Sequence, residues 1–235
     1  MARAAPVEPH RSSMSRTLAI IGWIPMAVVS ACGGAPDDRE PFAGAWSPMG
    51  APGQRIIHLW YADGGEVATP DAVCGGRAPP SYECAFADSR GDCQAAVQVY
   101  LARWYQPFNV HFTIVDPPAG VPHDTVIITA NGDWCGFVPA GLAPVTCDAV
   151  ASGTAWAFSC GKSAEQCAAI VAQEHAHLIG LEHTDSPRDV MFNPVCSDCI
   201  GFEDRENRVV GGRCREQQNS FTLMMQRLGP RQDGP

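Results

Sequence analysis

The chain has 235 residues, 46% of them apolar and 17% charged, with a formal net charge of −9. That length supports one well-formed core, and the acidic balance argues against nucleic acid as a partner. Beyond the first thirty residues no long apolar run follows, so the rest of the chain offers no candidate spanning helix.

The N-terminus reads as an export signal. Arg11 and Arg16 precede an apolar run from Leu18 to Val29, too short for a stable span and of the length of a signal core. The next stretch, Val29-Ser30-Ala31-Cys32, resembles a bacterial lipobox. That resemblance implies a signal peptide over 1–31, cleavage before Cys32 and acylation of its thiol. The chain would then be a lipoprotein of the bacterial envelope, on the outer membrane or cell surface, meeting the membrane through its lipid only. An ordinary signal with an incidental cysteine is the alternative, and Met14 is a second candidate start. Loss of residues 1–31, with three arginines and Glu8, takes the net charge from −9 to −11.

Residues 32–53 are rich in Gly, Pro and Ala without periodicity and read as a flexible tether. A single domain is expected over 54–229, with 230–235 as a tail. Residues 55–62, "RIIHLWYA", carry the aromatic and β-branched content of a strand. Residues 63–92 look like loop, and Asp92 is placed to cap a helix. After it Val97, Tyr100, Leu101 and Trp104 recur at helical spacing as one apolar face. Strands are expected at 109–115, 125–130 and 153–159, with a long loop before the last. Ser163 and Gln166 form a capping box for a helix running to about Gly180. Phe221, Met224, Met225 and Leu228 mark a last amphipathic helix, stopped by Gly229 and Pro230.

Ten cysteines remain besides Cys32: Cys74, Cys84, Cys93, Cys135, Cys147, Cys160, Cys167, Cys196, Cys199 and Cys214. An even number in an exported, loop-rich domain reads as up to five disulfides of undetermined connectivity. Cys196 and Cys199 form a C-x-x-C pair that also admits a metal or redox reading, although no second such pair accompanies it.

The chemistry concentrates in residues 173–183, "QEHAHLIGLEH". Gln173 and His177 stand at i and i+4, on one helix face, where two ligands can grip one metal ion. Glu174 lies beside them, suited to hold and deprotonate a metal-bound water. Gly180 can take the left-handed conformation that ends the helix and returns His183 to the same site. Three protein ligands and a water would make a catalytic zinc site.

This stretch resembles the metzincin signature H-E-x-x-H-x-x-G-x-x-H, with Gln173 in place of the first histidine. Met191 follows His183 by eight residues and Pro194 comes soon after, as in the matrixin Met-turn. The resemblance implies a zincin-like α+β domain, stabilised by disulfides. Its parts would be a twisted, mixed, mostly parallel sheet, a backing helix, an active-site helix, the Met-turn and a C-terminal helix. It implies a monomeric zinc endopeptidase acting on peptides or proteins, with one Zn2+ on Gln173, His177 and His183. Glu174 would be general base, and Met191 would underlie the metal. The glutamine opens two alternatives. Its amide oxygen is a weaker donor that still leaves an acidic bound water, or it is a spectator and the chain is a pseudopeptidase that only holds peptides.

The remaining candidates read as structural. His175 lies about 200° around the helix from Gln173 and is expected to pack in the core. Asp185 is assigned a surface or turn role rather than auxiliary ligation. His58, His111 and His123 fall in or near strands and are taken as structural.

Overall fold

The computed structural model describes residues 53–64, 74, 77–136, 139–196 and 199–232. Residues 1–52 lie outside this set, so the signal, Cys32 and nearly all of the tether do too. Strands β1 (Arg55–Tyr61), β2 (Val110–Thr113), β3 (His123–Ile128) and β5 (Thr154–Ala157) run parallel, and β4 (Gly141–Leu142) is antiparallel to β5. Their order is β2-β1-β3-β5-β4. The fold is therefore α+β around a mixed, mostly parallel sheet, as expected.

Alternation along the strands separates two apolar layers. Ile57 and Leu59 of β1, with Val126 and Ile128 of β3, enter the main core beneath the helices. Ile127 and Trp156 enter a smaller cluster on the opposite face, with Phe158 and the Cys74–Cys135 pair.

Helix α1 (Arg90–Tyr105) buries Val97, Leu101 and Trp104. Its cap is Ser89 rather than Asp92, because the serine hydroxyl reaches the Asp92 N–H at 3.1 Å. Asp92 sits instead in the first turn, where a carboxylate favours the helix dipole. Helix α2 (Ala164–Leu178) starts at Ser163, whose hydroxyl accepts from the Gln166 N–H, and is buried from Cys167 onward. It ends two residues before Gly180, which has φ +92°. The Gly180 N–H reaches the His177 carbonyl and the Leu181 N–H the Ala176 carbonyl, the paired bonds of a Schellman turn. Helix α3 (Ser220–Leu228) is capped by Asn219 and buries Met224 and Leu228. A short hairpin, β6 (Glu206–Arg208) with β7 (Gln217–Asn219), precedes it. These strands are polar and three residues long, so no alternation marked them in advance.

The ten domain cysteines pair as Cys74–Cys135, Cys84–Cys93, Cys147–Cys214, Cys160–Cys167 and Cys196–Cys199. The C-x-x-C is thus one of the cystines. His175 is fully buried, as expected, but it does more than pack. Its Nε2 is 3.1 Å from Asp124 Oδ2 and its Nδ1 2.8 Å from the Tyr105 hydroxyl. Asp124 also accepts two bonds from Arg55, at 2.6 and 2.8 Å. Burial would raise the Asp124 pKa, but hydrogen bonds from His175 and Arg55 outweigh it and hold the carboxyl at about 2. This network links β1 and β3 to α2 and α1. Among the described residues no helix is long and apolar enough to cross a membrane.

Candidate functional site

The Gly180 turn folds residues 181–183 back against the end of α2. His177 Nδ1 lies 2.8 Å from the Leu181 carbonyl. A carbonyl only accepts, so Nδ1 carries the proton and Nε2 presents a lone pair. That Nε2 is 3.1 Å from Nε2 of His183. Burial, and then the neighbouring His183, lower the His177 pKa to about 4, against opposing pulls from the Leu181 carbonyl and Glu182. Burial lowers the His183 pKa as well. Both rings are neutral near pH 7, the form that binds metal. Among the described residues, no third histidine, cysteine or carboxylate joins this pair at ligand distance.

Gln173 is buried, and its amide nitrogen lies 2.8 Å from the Phe192 carbonyl and 3.3 Å from that of Val190. Both partners are acceptors, so the NH2 group must face them. The amide oxygen is the atom left for another use. Gln173 therefore ties α2 to the turn that carries Met191. Met191 is fully buried, its N–H bonded to Asp189 Oδ1 at 3.0 Å and its carbonyl to the Thr184 N–H at 2.8 Å. Asp189 in turn accepts from the Ser220 hydroxyl at 2.6 Å.

Glu174 is only 5% exposed and receives no hydrogen bond from the described residues. Burial pushes its carboxyl up to about 8. Its side chain lies against Gly141 of the edge strand β4, where an added Cβ would overlap the carboxyl group. A cleft of about 290 Å3 opens beside His177 and His183, walled by Val145, Val210 and Arg213 among others.

Glu182 lines this cleft and was not singled out by spacing. Its carboxylate accepts the backbone N–H groups of Arg213, Cys214 and Arg215. It pins the 213–215 loop, which the Cys147–Cys214 bond also holds, as one wall of the cleft. Asp185 accepts from the Arg208 backbone and guanidinium, the turn role expected of it.

A second group lies elsewhere. His58, Asp116 and His123 each offer a ligand atom within 4.8 Å of the others, an arrangement that could hold a metal ion. His58 and His123, read from the sequence as structural, thus also stand where ligands could. Neither residue has a partner at motif spacing; strand register alone brings them together. Ile56 pairs with His123 and His58 with Thr125, placing both histidines on one face.

No family model matches this sequence, and no curated protein matches it.

Proposed function

We propose that the chain is a metzincin-like zinc endopeptidase, exported and anchored through acylated Cys32. The observation that carries this reading is the convergence of His177 and His183. Two neutral imidazoles aim Nε2 atoms at each other across 3.1 Å, and the His177 nitrogen bears a lone pair. The two nitrogens lie at hydrogen-bond distance, and a divalent ion held by both would replace that contact; zinc suits imidazole donors. Gln173 would supply the third ligand through its amide oxygen, the atom left over once its nitrogen is committed to the Val190 and Phe192 carbonyls.

Zinc bound there would acidify a water molecule and polarise the scissile carbonyl. The protein's own part falls to Glu174 and the sheet edge. Burial raises the metal-free Glu174 carboxyl to about 8; the charge of a bound cation would draw it back to the carboxylate, which takes a proton from the attacking water and returns it to the leaving amine. Gly141 leaves the space the carboxyl occupies. β4 is the sheet edge next to Glu174, and its outer backbone groups can align an extended peptide or protein substrate. Five cystines suit an exported monomer.

One observation favours a second reading, a pseudopeptidase. The Gln173 amide tie to the Met191 turn is a structural use that needs no metal. Glu174→Gln separates the two. Peptide hydrolysis should fall by about 10²–10⁴-fold, the range for a lost acid–base group, with zinc content unchanged. Equal turnover in that variant would remove Glu174 from the mechanism. Peptide binding without cleavage by the zinc-loaded wild type would favour the pseudopeptidase.

A further inference from the structure

We propose that His58, Asp116 and His123 form a second metal site, selective for zinc-class ions, which clamps the 114–122 connection onto the helix-free face of the sheet. It shares no residue with the site on α2 and does not depend on that reading.

Topology brings the three together. β2 and β3 flank β1 and run parallel to it. The connection between them must therefore return from the end of β2 to the start of β3, and it carries Asp116 over β1. His58 and His123 point to this face because Ile56, the register partner of His123, has the same parity as His58. The helices lie on the other face, over Ile57 and Leu59.

The donor atoms are arranged for a cation rather than for each other. His58 Nδ1 is 3.8 Å from Asp116 Oδ1, too far for a hydrogen bond. It is close to the spacing of two ligands on one tetrahedral zinc, about 3.4 Å for bonds of about 2.05 Å. The two imidazole rings stand at 69°, centroids 6.1 Å apart. His123 Nδ1 lies 2.8 Å from the Val121 carbonyl, which fixes the proton there and leaves Nε2 bare. Such an outer hydrogen bond is what orients a metal-binding imidazole. His58 is buried, with the Asp116 carboxylate beside its ring.

Asp116 is 86% exposed at its side chain and opens the site to solvent. His58 and Asp116 border a cavity of about 550 Å3, with room for a water as fourth ligand. Two imidazoles and one carboxylate select zinc or a similar transition ion over calcium or magnesium, which prefer oxygen donors.

Zinc itself is the probe, measured on the full exported chain. His177→Ala with His183→Ala silences the α2 pair. That protein should still bind one zinc by isothermal titration, and zinc should raise its thermal midpoint. Adding Asp116→Asn and His123→Gln should weaken this binding by more than about tenfold, the lower end of the loss for disturbed metal sites, and abolish the thermal shift. Should the paired histidine variant not fold, Asp116→Asn alone in the wild-type chain should lower the zinc stoichiometry by one. Retention of all zinc after the Asp116 and His123 changes would overturn the site. So would absence of zinc at micromolar concentration from the folded His177→Ala/His183→Ala protein.

Discussion

Gly141 and Glu174 show how closely two residues can depend on each other without a hydrogen bond between them. The carboxyl occupies the space a Cβ would fill at position 141. Gly141→Ala should therefore displace Glu174 and lower peptide cleavage sharply. Because β4 is a sheet edge, the variant should stay folded, with strain within about 1–3 kcal/mol; circular dichroism beside the peptide assay checks both. Gly180 is constrained differently. Its φ of +92° disfavours any side chain, and a Cβ would stand 3.0 Å from the Cys147 carbonyl. Gly180→Ala should destabilise the domain by at least about 1–2 kcal/mol, measured by urea denaturation, and loosen the approach of His183 to His177. The roles proposed for Glu174, His177 and His183 were legible through the resemblance to the metzincin signature, and the convergence of His177 and His183 supports them. The tie from Gln173 to Val190 and Phe192 was not legible, because it depends on where the Met191 turn lands against α2.

At the scale of elements, α2 is held by a polar network rather than by apolar packing alone. Asp124 joins Arg55 of β1 to His175 of α2, and His175 reaches Tyr105 of α1. Asp124→Ala leaves a largely buried guanidinium and a buried imidazole without their partner. It should cost about 3–5 kcal/mol, the range for breaking a buried pair, seen as a lower urea midpoint. A wild-type midpoint in that variant would show the network to be incidental. The helices were legible from apolar periodicity, Ser163 and the glycine stops, although α1 begins at a serine the pattern passed over. Strands β1, β2, β3 and β5 were legible as segments, but β4 falls in the stretch read as a long loop, and the order and register were not legible. Parallel pairing joins residues far apart in sequence, such as Ile56 with His123, and only that pairing reveals His58 and His123 as neighbours. The β6–β7 hairpin escaped notice because its six residues are polar.

Across the whole molecule, stability leans on cystines. Cys74–Cys135 and Cys147–Cys214 span 61 and 67 residues, and each should restrict the unfolded chain by about 4 kcal/mol in the loop-entropy account. The folded protein should contain no free thiol among these ten cysteines under denaturing, non-reducing conditions. Reduction should lower its melting temperature by many degrees; an unchanged midpoint would count against the pairing. The proposed export through an acylated Cys32 predicts that Cys32→Ala releases the protein from membranes or blocks its processing, and unaltered detergent partitioning would oppose lipidation. The proposed endopeptidase activity requires that zinc bind at α2. Isothermal titration with zinc of wild type, Gln173→Ala and Gln173→His, beside a quenched-peptide assay, tests it most directly. Wild type should bind zinc and cut peptide, the alanine variant should lose both, and the histidine variant should bind zinc more tightly. Wild-type protein that binds no zinc through the α2 pair at micromolar concentration, while the histidine variant does, would contradict the endopeptidase.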